Sequence, residues 1–489
     1  MAKVVVIWSW FGGLSAALYA AKAWHEVVVY EKNEQLWGRA SVFEKNGFRR
    51  DMGPSWYLMP DLFESFFEDF GKRREDYIQI QKLSPSYRIY FKDTEYEYVD
   101  VYDDLEKNRE TFEMIEPGSM ENLYEYLEKA KYQYEIAMKG FVPKNYDSIW
   151  DFFTLRMAIE WSKLHVFENM KKYVKRYFKT PEMQKIMSYP LVFLGTAPSD
   201  APALYNIMSY VDFGMGVYYP TWWINAIIQA LIALWKEYWI QYHTNSEVEK
   251  ILVNDHWSAT WIQLKNWSAV QADRVVSNAD YHWTETQLLD KRRQSYPNKR
   301  WSKKTMAPSG FILYLGVKGK VKNLDHHTLI FNSDRDHTFW QIFNKWEAPD
   351  DPSLYVCCPS KTDLTVAPEW DENVFILVPF PPNVVLTDEQ QQAYRKKVLT
   401  VIESEIWETF QDRIVEERYF WVEDFESRYH SYKGSALGLA HTLRQTAIFR
   451  PNTISKKVKN LLYCGGHTNP GIWMPMCLIS GKLAVERIN

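Results

Sequence analysis

The sequence predicts an α/β fold with a parallel sheet, joined to a second region of mixed α/β structure. Three observations carry this expectation. The first 31 residues read strand, helix, strand, acid. Further short β-branched runs recur at 247–253 and 270–278, and aromatic-rich stretches fill the remainder. Finally, 489 residues with 46% apolar and 25% charged content suffice for two to four packed domains and exclude wholesale disorder.

The elements follow in order. Val4-Val5-Val6-Ile7 is short, apolar and β-branched, as a strand buried on both faces requires. Between Gly12 and Trp24, Leu14, Ala17, Leu18 and Ala21 recur at helical spacing. His25 to Tyr30 is a second buried strand, and Glu31 follows it. Pro220-Thr221-Trp222-Trp223 opens a long apolar helix, Ile224 to Trp239, interrupted by Asn225, Gln229 and Lys236. It is too short and too polar for a membrane span of about 20 apolar residues. The runs at 247–253 and 270–278 read as strands.

Composition narrows the function. The charge sum of −4, without a like-charged block, weighs against a nucleic-acid partner. Four cysteines without a C-x-x-C pair make neither a disulfide framework nor a zinc site, which points to a reducing, cytoplasmic compartment. Eleven histidines show no ligand spacing, so no metal site is expected; His326-His327 and Cys357-Cys358 read as structural. No G-x-S-x-G, P-loop or nucleophile triad is present.

A strand-turn-helix start of this kind normally carries G-x-G-x-x-G, whose glycines allow the tight turn and the approach of a pyrophosphate. The corresponding residues are Trp8, Trp10 and Gly13, with Gly12 beside the last. Glu31 stands where an acid hydrogen-bonds a ribose hydroxyl. The chain has 22 Trp and 20 Gly, whereas average usage of about 7% predicts roughly 34 Gly. The largest side chain is in excess where the smallest is short.

The motifs in series resemble the FAD-dependent carotenoid desaturases, and bacterial-type phytoene desaturases in particular. Leu36-Trp37-Gly38-Arg39-Ala40 and Asp51-Met52-Gly53-Pro54-Ser55 follow Glu31, and Asp200-Ala201-Pro202-Ala203-Leu204-Tyr205 lies between the ends. The tail NLLYCGGHTNPGIWMPMCLISG, from Asn460 to Gly481, is similar to the family's C-terminal signature. The likeness spans essentially the whole chain. It implies a Rossmann-like FAD-binding domain assembled from 1–80, 220–290 and 455–489, and a substrate and membrane-contact domain from 81–219 and 291–454. Against the family pattern, Trp8, Trp10, Trp37, Trp222, Trp223 and Trp473 stand at glycine positions; Trp24 and Trp267 occupy turn positions that favour glycine, and Trp261, Trp370 and Trp407 are further candidates.

By the resemblance, Glu31 holds the adenosine ribose. Gly12, Gly13, Gly38 and Arg39 line the pyrophosphate region, with Asp51, Gly53 and Pro54 nearby. Gly465, Gly466, Thr468 and Gly471 contact the ribityl chain and flavin ring. Arg156 aligns with an arginine proposed to act near the flavin; the acid expected three residues before it is Phe153 here, and Asp151 is the nearest carboxylate. The implied reaction is desaturation of a C40 carotenoid, phytoene toward lycopene. The implied partners are a membrane-dissolved carotenoid, the membrane surface, and an electron acceptor such as quinone or oxygen. Between Leu155 and Phe178, Leu164, Phe167, Met170 and Val174 form an apolar stripe beside Lys163, Lys171, Lys172, Lys175 and Arg176. Such a helix either lies in a membrane interface or packs on the core; the resemblance favours peripheral membrane contact. Two alternatives stay open: a sibling carotenoid desaturase or oxygenase, and a non-catalytic chain in which Trp8, Trp10, Trp37 and Trp473 block FAD.

Overall fold

A computed structural model describes residues 1–146, 165 and 168–488. Its first unit is a five-stranded parallel sheet. The strand order is Leu461–Tyr463, Arg274–Ser277, β1 (Lys3–Ile7), β2 (Glu26–Tyr30) and Gln241–His243. Strands distant in sequence therefore close one sheet around the N-terminal unit.

Alternation along the strands divides the core. Val4, Val6, Val27 and Val29 face α1 (Phe11–Lys22), the helix Asn225–Glu237 and the C-terminal helix Met474–Val485. Val5, Ile7, Val28 and Tyr30 face an antiparallel meander of Val248–Val253, Ala259–Leu264 and Ala269–Gln271. Burial on both faces explains why these strands read as continuous apolar runs. Gly481 lets the C-terminal helix touch α1, because a Cβ there would lie 2.5 Å from the Gly12 carbonyl oxygen.

The second unit is built on a seven-stranded sheet. Its order is Ile414–Phe420, Ser309–Val317, Glu372–Phe380, Leu354–Cys357, His327–Phe331, Tyr87–Phe91 and Val99–Val101. All pairings are antiparallel except His327–Phe331 with Tyr87–Phe91. One face is covered by the helix Asp388–Ile406 through Val398, Leu399 and Ile402. The other carries an aromatic-rich core shared with the helices Ser119–Gly140, Met170–Tyr177 and Pro181–Ser188.

The backbone bears out the glycine pattern at most of the tryptophans. Among the described residues, Trp8, Trp24, Trp222, Trp223, Trp239, Trp257, Trp267, Trp346, Trp370, Trp407 and Trp473 all have positive φ, between 50° and 109°. L-residues with a Cβ avoid this region and glycine does not. Trp10 and Trp37 have ordinary φ of −80° and −107°, so a glycine there would serve space rather than torsion. Trp261 sits in a strand, paired with Gln271 and next to a register shift, and is not among the positive-φ residues.

The basic amphipathic stretch is described only in part. Leu164 and Phe167 lie outside the described residues. In Met170–Tyr177 and the residue after it, Met170, Tyr173, Val174 and Phe178 are buried in the core while Lys172, Lys175 and Arg176 face solvent. The apolar face of this short helix is covered by protein, not free for a lipid surface. Among the described residues no helix is long and apolar enough to cross a membrane.

Candidate cofactor and substrate site

The turn between β1 and α1 keeps the geometry of a nucleotide-binding turn. The Trp8 N–H donates to the Tyr30 carbonyl at 2.8 Å, and Trp8 takes φ 70°. A Cβ on Gly13 would come within 2.1 Å of the Trp8 carbonyl oxygen; one on Gly12 would lie 2.5 Å from Asn278 Oδ1. Only glycine fits either position. The indoles take up the space that glycines would leave. Trp8 is buried and stacks on Trp283 and His430, at 5.4 and 5.5 Å between ring centroids. Trp10 caps α1 with its backbone only, and its Cβ lies 2.9 Å from where a Cβ on Gly38 would be.

Glu31 is buried, and its four acceptor sites are taken. Oε2 accepts from the Ser9 N–H (3.0 Å) and hydroxyl (2.8 Å); Oε1 accepts from the Asn33 N–H (2.9 Å) and side-chain amide (3.0 Å). Burial raises its pKa against these four bonds. Arg39 leaves the turn Gly38–Ala40 and donates to Ser431 Oγ at 2.5 Å; its guanidinium lies 5.7 Å from the Trp10 ring. Burial lowers its pKa. Gly53 packs on Arg39, since a Cβ there would meet the Arg39 carbonyl oxygen at 2.1 Å. Asp51 points elsewhere. It accepts the N–H groups of Ile224 (3.0 Å) and Asn225 (3.1 Å), capping the helix Asn225–Glu237, and burial pushes its pKa up to about 7.

The C-terminal loop is held from behind. Gly465 has φ 96° and donates its N–H to Ser480 Oγ at 2.7 Å; the Thr468 hydroxyl donates to the Gly465 carbonyl at 2.9 Å. Gly471 has φ 139°, and a Cβ there would lie 2.3 Å from the His441 ring. Sequence reasoning missed Arg450. Its buried guanidinium donates to the carbonyls of Thr468 (3.2 Å), Gln445 (3.1 Å) and Gly466, and burial lowers its pKa to about 10. Asp280 and His467 were also missed. Burial raises the Asp280 pKa, but His467 Nε2, 3.1 Å away, outweighs it and holds the carboxyl at about 2. His467 lies in the C-terminal motif, but its contact with Asp280 spans 187 positions.

A cavity of about 1950 Å³ of empty space, partly continuous with solvent, joins these parts. Trp10, Arg39, Gly53, Pro54, Gly465, Gly466 and Trp473 line one end. The seven-stranded sheet supplies an apolar floor of Leu329, Phe331, Leu354, Tyr355, Phe375 and Leu377. Glu31, Gly12, Gly13, Asp51, Thr468 and Gly471 do not line it. Asp151 and Arg156, the expected catalytic pair, lie outside the described residues. One expectation from spacing changes: the fold brings His326, His327 and Cys357 together as a buried set of ligand-type atoms.

The family model of flavin-containing amine oxidoreductases matches residues 11–489. A carotenoid 3,4-desaturase of Haloarcula japonica is 46% identical over 99% of this chain and 97% of its own. The chain belongs to the carotenoid desaturases of that family. A zeta-carotene-forming phytoene desaturase of Myxococcus xanthus is 32% identical over 99% of this chain and 93% of its own. Two solved structures share the fold: an oxidoreductase of Methanosarcina mazei, at TM-score 0.64 and 15% identity over 99% of this chain and all of its own, and putrescine oxidase bound to putrescine, at 0.62 and 12% over 100% and 98%.

Family membership implies FAD, and the residues divide on it. Gly465 and Gly466 line the cavity beside Arg39 and Gly53. At the turn, Glu31 already accepts four hydrogen bonds from Ser9 and Asn33, and the Trp8 ring is buried against Trp283 and His430. Bound FAD supplies the hydride acceptor in such enzymes.

Proposed function

We propose that this desaturase scaffold removes hydrogen from a C40 carotenoid at the apolar cavity, that carotenoid 3,4-desaturation is its first reading, and that Trp8, Trp10, Trp37 and Trp473 suppress the activity by weakening FAD binding. The observation that carries it is the continuity of the glycine loop at 465–466 with the apolar floor in one cavity. A hydrocarbon offers no hydrogen bonds, so its register must come from shape and from apolar contact, at roughly 25 cal/mol per Å² buried. Leu329, Phe331 and Leu377 supply such contact and exclude water from the reacting bond. The first reading rests on the 46% identical relative. The relative forming zeta-carotene keeps phytoene as a second reading. The carotenoid arrives from a membrane, where such hydrocarbons dissolve, and quinone or oxygen takes the electrons.

The test is conversion in liposomes by a variant with glycine at all four tryptophan positions, supplied with FAD. An end-group carotenoid that already carries a polyene should gain a double bond, seen as a red-shifted spectrum. Conversion of phytoene alone favours the second reading. A flavin-loaded variant inert on both contradicts the proposal.

A further inference from the structure

Behind the cavity floor, three ligand-type side chains converge. The antiparallel register of His327–Phe331 with Leu354–Cys357 sets His327 directly opposite Cys357, and His326 precedes it. One donor atom from each of His326, His327 and Cys357 lies within 4.8 Å of the others, and all three residues are buried. Each ring is oriented through Nδ1: His326 Nδ1 is 2.6 Å from the Thr362 hydroxyl, and His327 Nδ1 is 2.9 Å from the Tyr355 hydroxyl. Tyr355 donates its own proton to Ser55 Oγ at 2.7 Å, so its oxygen is free to accept from His327. The tautomer with Nδ1–H donating to these hydroxyl oxygens leaves a lone pair on each Nε2.

Those two Nε2 atoms are buried and have no hydrogen-bond partner. A buried polar atom left unpaired is costly, and two such rings beside a buried thiol favour a shared occupant. An imidazole fixed by an oxygen at Nδ1 and free at Nε2 is the arrangement metal-ligating histidines adopt. Two imidazoles and a thiolate suit Zn²⁺, which takes four ligands. The buried, unpartnered Tyr219 hydroxyl belongs to a ring 4.7 Å from that of His326. Tyr219 and Cys357 both line a small cavity, so that hydroxyl or a water can complete the set.

We propose that His326, His327 and Cys357 bind a Zn²⁺ ion, each imidazole through one ring nitrogen and the cysteine through Sγ. On binding, the Cys357 S–H bond breaks, a sulfur–zinc bond forms, and one proton leaves to solvent. The ion ties neighbouring strands together under the cavity. His327 stacks face to face on Trp56, a cavity-lining residue, with centroids 4.2 Å apart, so the ion also stiffens that wall.

The purified full-length chain, stripped with chelator and reloaded with ZnCl₂ or CoCl₂, tests this. After desalting, elemental analysis should find about one zinc per chain, and the cobalt form should show thiolate-to-cobalt charge-transfer absorption. Cys358→Ser should keep both signals, because the Cys358 thiol faces Glu372 at 3.2 Å instead. Cys357→Ser should lose the charge-transfer band and weaken retention at least tenfold. Zinc absent from the folded wild-type chain, or a cobalt band undiminished by Cys357→Ser, overturns the proposal, and neither readout depends on FAD or carotenoid.

Discussion

Trp24 and Trp239 isolate what a side chain costs at a glycine position. Both have positive φ, 63° and 56°, and are 85% and 89% exposed, so their indoles bury little. A left-handed conformation costs an L-residue roughly 1–2 kcal/mol. Trp24→Gly and Trp239→Gly are therefore expected to raise stability by about 1 kcal/mol each, read as a shift in urea midpoint; a loss of stability contradicts the torsional argument. Spread over eleven positions, costs of this size rival a whole domain's margin of about 5–15 kcal/mol. This pattern was legible in the sequence at Trp24, Trp267 and Trp473, where helix ends, an Asn-x turn or a family motif frames the residue. Trp239, Trp257 and Trp346 lack such a frame, and only their backbone torsions mark them.

Elements buried on both faces were the most legible. β1 and β2 announce themselves because parallel strands covered twice must be apolar throughout. The seven-stranded sheet was not legible, since its pairings join strands as far apart as Tyr87–Phe91 and His327–Phe331. The same distance hid the contacts of Asp280 with His467 and of His327 with Cys357. The helix Met170–Tyr177 shows a different limit: periodicity reveals an apolar face but not whether protein or lipid covers it. The Asp280–His467 pair links the strand Arg274–Ser277 to the cofactor loop and carries a pH signature. The folded carboxyl titrates at about 2, below its ordinary 3.8. Its stabilisation is thus complete above pH 4 and is lost as pH falls toward 2. Asp280→Asn is expected to cost about 3 kcal/mol near neutrality and to flatten the loss of stability between pH 4 and 2 in denaturant titrations. An unchanged acid limb contradicts the pairing.

At the scale of the molecule, two sheets meet so that a glycine-rich loop and an apolar floor share one cavity. The fold brings Arg39, Gly53, Gly465 and Gly466 to one cavity. Asp51 accepts from the Ile224 and Asn225 N–H groups, and the Thr468 hydroxyl donates to the Gly465 carbonyl. The floor could not be read in advance, because its residues come from separate strands that become neighbours only in the sheet. This is a flavin desaturase scaffold, and the proposal is that its tryptophans at 8, 10, 37 and 473 weaken FAD binding. Visible absorption after FAD loading and desalting tests it most directly. The chain should retain little flavin, and the variant with glycine at Trp8, Trp10, Trp37 and Trp473 should retain about one FAD per chain. Full flavin retention by the unaltered chain, or a folded glycine variant that stays colourless, would contradict it.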